Sequence, residues 1–328
     1  MKSDNTATTA RPFVTVIVPV YNGADTIDTC VQSLLAQQYP PGRFEILVVN
    51  NASSDDTARR VRQYPVLLMH ERRKQSSYAA RNCGIQAAHG ELIAFTDSDC
   101  VAQPDWLQQL VAGFDDPSTA GFAGFVDSVK PQTVLEAFAH QRKQVSQEAS
   151  MNCSFLPYAI TANVAYRRES LKALNGFDES IISGGDADFS WRLQQQLGKS
   201  IRFNGDAVVS HKHRSTLKGL WRQHYLYGFG TAMLYERYPG YRKSTGFEFY
   251  FWIKRLVQFF IRGLFRLVRW PFTKRRSRLY VAEHFLEIVC TTARFCGILA
   301  YRTQRNSPDR LMNAPSGFTA VGGAHAGR

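Results

Sequence analysis

Long apolar runs are missing from this 328-residue chain. No predominantly apolar stretch reaches the ~18 residues that a membrane-crossing helix needs. Met1–Arg11 has no apolar segment of the kind that directs secretion, and it reads as a disordered leader. Cysteine is scarce: Cys30, Cys83, Cys100, Cys153, Cys290 and Cys296 show neither a CxxC pair nor a framework spacing. A disulfide-built scaffold is thereby excluded, and a reducing cytosol is the expected setting. No internal repeat is visible. Acidic residues thin out towards the carboxyl end. Residues 1–198 hold 17 Lys+Arg against 21 Asp+Glu, whereas residues 199–328 hold 23 against 6. The net charge of +13 is therefore a property of the last third, a part suited to nucleic acid, anionic lipid or an acidic acceptor.

What is present is core-forming material. Hydrophobic residues make up 44% of the chain and aromatics 12%, which excludes a disordered or fibrous protein. Phe13–Val18 is a β-branched run ended by Pro19 and reads as a buried strand. Asp25–Gln37 follows with Ile27, Val31, Leu34 and Leu35 at helical spacing. Phe44–Val49, Ser54–Val61, Val66–Met69, Ser76–Ala88 and Leu92–Phe95 continue the alternation of strand and helix. That rhythm predicts an α/β fold with a mostly parallel central sheet flanked by helices. Ligands of such sheets bind beyond the carboxyl ends of the strands, which directs attention to Asn50–Asp56 and Thr96–Cys100.

In the first segment Ser53 or Ser54 is a candidate N-cap, and Asp55 suits the positive end of a helix. In the second, Asp97 and Asp99 stand two residues apart as the chain leaves a core strand. They read either as a polar turn or as oxygen ligands for a hard cation completed by substrate phosphates. Asp186 and Asp188 follow Gly184-Gly185 and precede the helical pattern Phe189, Leu193, Leu197. They are helix-start residues or, at a Gly-rich turn, one is an acceptor for a hydroxyl proton. His211 and His213 come after a short strand at Ala207–Val209 and could add a metal ligand.

Val18-Pro19-Val20-Tyr21-Asn22, Asn50-Asn51-Ala52-Ser53-Ser54-Asp55-Asp56-Thr57, Ala80-Arg81-Asn82-Cys83-Gly84, Asp97-Ser98-Asp99 and Asp186-Ala187-Asp188-Phe189-Ser190-Trp191-Arg192 stand in order along the chain. Together they resemble family 2 glycosyltransferases over about residues 12–215. The resemblance implies the GT-A fold and inverting transfer of a sugar from a nucleotide-diphosphate sugar to a hydroxyl acceptor, a glycan or a lipid-linked glycan. It also implies a divalent cation, Mn²⁺ or Mg²⁺, and a place in cell-envelope polysaccharide or glycolipid synthesis. By the same resemblance Pro19, Tyr21 and Asn51 hold the nucleoside, and Arg81 lies near the nucleotide. Asp97 faces ribose or a metal-bound water, Asp99 ligates the metal, and His211 is preferred over His213 as a further ligand. Asp186 matches the general base. Two departures stand out: relatives often carry Asp-Asp where this chain has Asn50-Asn51, and Glu where it has Gly185. The second carboxylate must then come from Asp188 or be absent. Both departures also fit a nucleotide-sugar binder that has lost catalysis. Trp191 and Arg192 are expected to pack their helix.

Beyond residue 215, residues 216–305 are expected to form a basic helical region, and the Gly/Ala-rich 306–328 a disordered tail. Within Phe247–Trp270, residues Arg255, Gln258, Arg262, Arg266 and Arg269 fall within about 80° on a helix. The rest of that surface is apolar, a pattern suited to lying on an anionic membrane surface, here the inner face of the cell membrane, or to packing on the catalytic domain. A basic turn at Thr273–Arg278 and a second helix over Leu279–Tyr301 complete the region. No nucleic-acid reader motif is present, so no nucleic-acid partner is expected. The Gln-x-x-Arg-Trp motif of processive relatives is also lacking.

Overall fold

The computed structural model describes residues 11–245, 253–254, 257–259, 261, 265 and 278–305. The leader to residue 10, the tail from 306, the basic turn at 273–277 and most of the amphipathic stretch 247–270 lie outside the described residues.

The strands are β1 (Val14–Val20), β2 (Phe44–Asn50), β3 (Leu67–His70), β4 (Leu92–Thr96), β5 (Cys100–Ala102), β6 (Thr119–Ser128), β7 (Asn163–Arg167) and β8 (Ser200–His211). They form one sheet in the order β3-β2-β1-β4-β7-β6-β8-β5. The first four run parallel. Beyond them β7 enters antiparallel, between β4 and β6. β6 and β8 are parallel, and β5 pairs antiparallel with the end of β8. The strands read as unbroken apolar runs because both faces of the sheet are covered. Val14, Val16, Val18 and Val20 meet α1 (Ile27–Leu35) on one side, through Ile27, Val31 and Leu34. Ile17, Leu47, Val49, Ile93 and Phe95 meet α3 (Ser77–Ala87) and α8 (Gly185–Leu197) on the other.

β1 does not stop at Pro19. Val20 O accepts from Asn51 N at 2.8 Å on the β2 side, so the peptide nitrogen of Pro19 faces β4. Pairing there ends with Ile17 and Phe95, and the missing N–H costs no ladder bond. A second departure lies at the start of α2 (Thr57–Val61). Asp56 occupies the cap position without a side-chain capping bond, its carboxylate turned to Arg59. Ser53 Oγ instead accepts from Asn22 N, and Asn22 Oδ1 accepts from Ser54 N. Asp55 accepts from Ala24 N and Thr57 N. The polar run after β2 therefore laces the loop after β1 to its own loop, rather than capping a helix at Ser53 or Ser54.

The strands β6 and β7 hold no local signal as strong as β1. Their meeting is secured by buried Asn163, which donates to Phe125 O and Ala207 O at 2.8 Å each and accepts from Trp106 Nε1 at 2.8 Å. These bonds span the register shift of β6 against β8 at Gly124/Phe125. Asn163→Ala removes three hydrogen bonds, two of them fully buried, and urea denaturation should show a loss of about 3 kcal/mol.

Among the described residues of the carboxyl side are the helices α9 (Leu217–Arg237), α10 (Pro239–Thr245) and α11 (Arg278–Arg305). α9 and α11 approach closely at Gly228 and Gly297. A side chain on either would fall about 2 Å from a carbonyl oxygen of the other helix. Glu283 and Glu287 of α11 pair with Arg142, at the end of α5 (Val134–Gln141). Leu286 and Cys290 pack against Phe138 and Leu220. This second carboxyl-terminal helix is thus docked on α5 and α9.

Candidate active site

The carboxyl ends of β1, β2 and β4 open on one side of the sheet, and the short β5 carries the chain on from there. Cys100 of β5 pairs with His211 of β8, and Lys212 N donates to Asp99 O at 2.9 Å. Strand register alone therefore brings His211 beside Asp99, although 112 positions separate them in the chain. Ligand atoms of Asp97, Asp99 and His211 all lie within 4.8 Å of one another. His211 Nε2 is 3.5 Å from Asp99 Oδ1, and the other ring nitrogen is buried without a hydrogen-bond partner. Two carboxylates and an imidazole make a donor set that fits Mn²⁺ or Mg²⁺. His213 is engaged elsewhere, with Nε2 2.7 Å from Ser128 Oγ. Burial, and then the neighbouring His211, push its pKa down to about 4.

Arg81 joins this cluster to the helix that carries Asp186. The guanidinium is buried, with Nη2 2.6 Å from Asp97 Oδ1. It also favours the ionised form of Asp186. Asp186 sits in the first turn of α8, where Oδ2 accepts from Thr161 N at 3.2 Å. Burial nevertheless wins and raises its carboxyl above the usual range. A carboxylate so placed is a stronger base than one in water. Asp188 takes no part in the cleft. It is fully buried, accepting from Arg192 Nε and Tyr238 Oη at 2.8 Å each, with Arg237 Nε at 3.2 Å. It cannot serve as the second carboxylate; it ties α8 to α9. Trp191 is buried and donates to Leu156 O at 2.9 Å, so Trp191 and Arg192 both pack the helix.

Pro19 is buried in β1, and Tyr21 is half-buried in the turn that follows. Asn51 is buried one residue past β2, and its Nδ2 donates to Lys74 O at 2.9 Å and Glu71 O at 3.3 Å. Two carbonyls fix the amide nitrogen on that side and turn Oδ1 the other way, as an acceptor. This explains an amide at position 51: Asp here would face two carbonyl oxygens. Asn51→Asp should cost about 1–3 kcal/mol at pH 7. Melting curves should show that loss shrinking as the pH falls and the new carboxyl takes up a proton.

One further cation at the site carries no local signal in the sequence. Arg214, about half exposed on the loop after β8, lies 3.6 Å from Asp99 Oδ2. Its position becomes meaningful only once His211 is set beside Asp99.

The sheet thus has a helix-flanked parallel half, with an Asp-x-Asp turn at the strand ends and a carboxylate on the facing helix. Residues 15–174 match the family model described as "Glycosyl transferase family 2". Glycosyltransferase AglE of Haloferax volcanii is 32% identical over 215 residues, which are 63% of this chain and 69% of that protein. Pre-mycofactocin glycosyltransferase of Mycobacterium tuberculosis is 31% identical over 236 residues, 69% of this chain but only about half, 48%, of the relative. Among solved structures, mannosyltransferase PcManGT from Pyrobaculum calidifontis in complex with GDP-Man and Mn²⁺ superposes with a TM-score of 0.55 at 20% identity. The match covers 90% of this chain and 74% of that one. Glucosyl-3-phosphoglycerate synthase from Mycobacterium tuberculosis, with phosphoglyceric acid, gives 0.53 at 20% identity over 70% and 80% of the two chains. The chain belongs to glycosyltransferase family 2 and carries its GT-A fold.

Proposed function

We propose that the chain transfers a sugar from a nucleotide-diphosphate sugar to a hydroxyl of a glycan or lipid-linked acceptor, with inversion at the anomeric carbon. The observation that carries this reading is the convergence of Asp97, Asp99 and His211 on one point, with Arg81 leading from that point to Asp186. Pro19, Tyr21 and the Asn51 carbonyl would hold the nucleoside. Asp99 and His211 would hold a divalent cation, with Asp97 turned to ribose or to a cation-bound water because Arg81 already takes one of its oxygens. When bound, the cation would act as a Lewis acid, offsetting charge on the departing diphosphate. Arg214 is near enough to add a second positive charge there. Asp186 accepts the acceptor's proton as its oxygen attacks the anomeric carbon from the face opposite the leaving group. Inversion follows from that single displacement. Proton NMR of the sugar released from α-linked UDP-, GDP- or dTDP-sugars with Mn²⁺, water serving as acceptor, tests this directly. The β anomer should appear first; the α anomer appearing first would contradict inversion.

The membrane reading rests on Ile253, Val257, Ile261 and Phe265. They recur at every fourth position, each with helical backbone, and are 40–65% exposed. Large apolar side chains in such a row, within a basic region, suit an anionic lipid surface. The protein should sediment with vesicles containing phosphatidylglycerol and much less with phosphatidylcholine alone. Phe265→Asp should weaken that binding without changing turnover of a water-soluble donor. Equal sedimentation of wild type and variant would remove this face from the account.

A further inference from the structure

We propose that Tyr78 is a positioning residue for Asp186: its ring occupies the space over Gly185, and its hydroxyl holds the first turn of α8 in place for proton transfer. This rests on reading Asp186 as the base. Gly185 N donates to Tyr78 Oη at 2.9 Å. A Cβ on Gly185 would fall 2.6–2.9 Å from Cζ, Cε1 and Cε2 of the Tyr78 ring, closer than real atoms approach. No side chain can therefore stand before Asp186 while Tyr78 is there, and the absence of a carboxylate at 185 and the presence of Tyr78 are one arrangement. The ring is 5% exposed and stacks on Phe177 at 5.8 Å with 28° between the planes, so the hydroxyl has little freedom to leave.

A buried hydroxyl that accepts one bond must still donate its own hydrogen. Burial, and then the nearby Asp186 carboxylate, push the pKa of this hydroxyl up. Thr161 N holds the same carboxylate at 3.2 Å. The base is thus held directly by Thr161 N, and from α3 through the bond of Tyr78 to the backbone of the residue before it. Three residues on, the same face of α3 presents Arg81, bonded to Asp97. One short helix therefore sets the spacing between the cation-binding carboxylates and the base. That spacing governs whether an acceptor oxygen lines up with the anomeric carbon, where small misplacements are expensive.

Tyr78→Phe keeps the ring and removes only the hydroxyl. Nucleoside diphosphate release from UDP-glucose, GDP-mannose and dTDP-glucose with Mn²⁺ is measured for wild type, Tyr78→Phe and Asp186→Asn side by side. The variant should lower kcat about ten- to a hundredfold and leave KM for the donor within about twofold. Unchanged kcat in Tyr78→Phe, with turnover lost in Asp186→Asn, would reduce Tyr78 to packing. Wild-type turnover by Asp186→Asn would remove the base reading, and this inference with it. A double-variant cycle of Tyr78→Phe and Asp186→Asn in urea unfolding gives a readout independent of turnover. Non-additive changes in stability are expected; additive changes would show that the hydroxyl is not coupled to the carboxylate.

Discussion

Asp186→Asn should leave nucleotide binding intact and lower transfer about a thousandfold, within the range attributed to a positioned general base. Asparagine keeps the shape and can still accept from Thr161 N, so the change isolates the loss of basicity. A second consequence is opposite in sign. Burial raises the carboxyl of Asp186 above its ordinary value. Its contribution to stability is therefore full below the unfolded pKa and is lost as pH rises through the folded pKa. At pH 7 the wild type keeps an ionised group where the neutral one is preferred, whereas asparagine is neutral throughout. The variant should melt higher than wild type at pH 7, and the difference should close towards pH 4. Catalysis calls for the reverse. Transfer needs the ionised form, so the acid limb of the wild-type rate profile should lie above the ordinary carboxylate range. A variant that is more stable and inactive would show that this carboxylate is kept for chemistry and not for folding.

Asp99→Ala should have an effect of similar size by a different route. It removes one of three donors and leaves His211, with a buried ring nitrogen that has no partner, facing Asp97 alone. Calorimetric titration of Mn²⁺ in the presence of nucleoside diphosphate should lose its tight phase. Turnover should fall on the order of a thousandfold, since the charge stabilisation a metal supplies is worth several kcal/mol. The histidines give an internal contrast. His211→Ala should weaken Mn²⁺ binding, whereas His213→Ala, which loses its contact with Ser128, should change stability and leave Mn²⁺ affinity alone.

Much of this could be read before the fold was known, because the parallel half of the sheet is built locally. Each strand is an apolar run, each helix has its own period, and the polar segments at the strand ends are short. Asp97, Asp99 and Asp186 could be singled out for that reason. What was not legible depends on contacts between distant segments. The insertion of β7 rests on Asn163 bridging two other strands. The preference for His211 over His213 rested on order along the chain, while the geometry that separates them is the pairing of Cys100 with His211. Ser53 and Ser54 looked like helix caps because local rules see only the helix that follows, whereas Asn22 reaches them from the loop after β1. Asp188 had the right chemistry for a second carboxylate. Tyr238 and Arg237, about fifty residues on, claim it instead.

The measurement that bears most directly on the central claim is a thermal-shift comparison of UDP, GDP and dTDP, each with and without Mn²⁺, on wild type and Asp99→Ala. A ligand bound only by the folded chain stabilises it by ~2.7 kcal/mol at a hundredfold excess over Kd. One nucleotide should raise the melting temperature in the presence of Mn²⁺, and Asp99→Ala should abolish that rise. A nucleotide shift of the same size without metal, or one that survives in Asp99→Ala, would contradict the site as described.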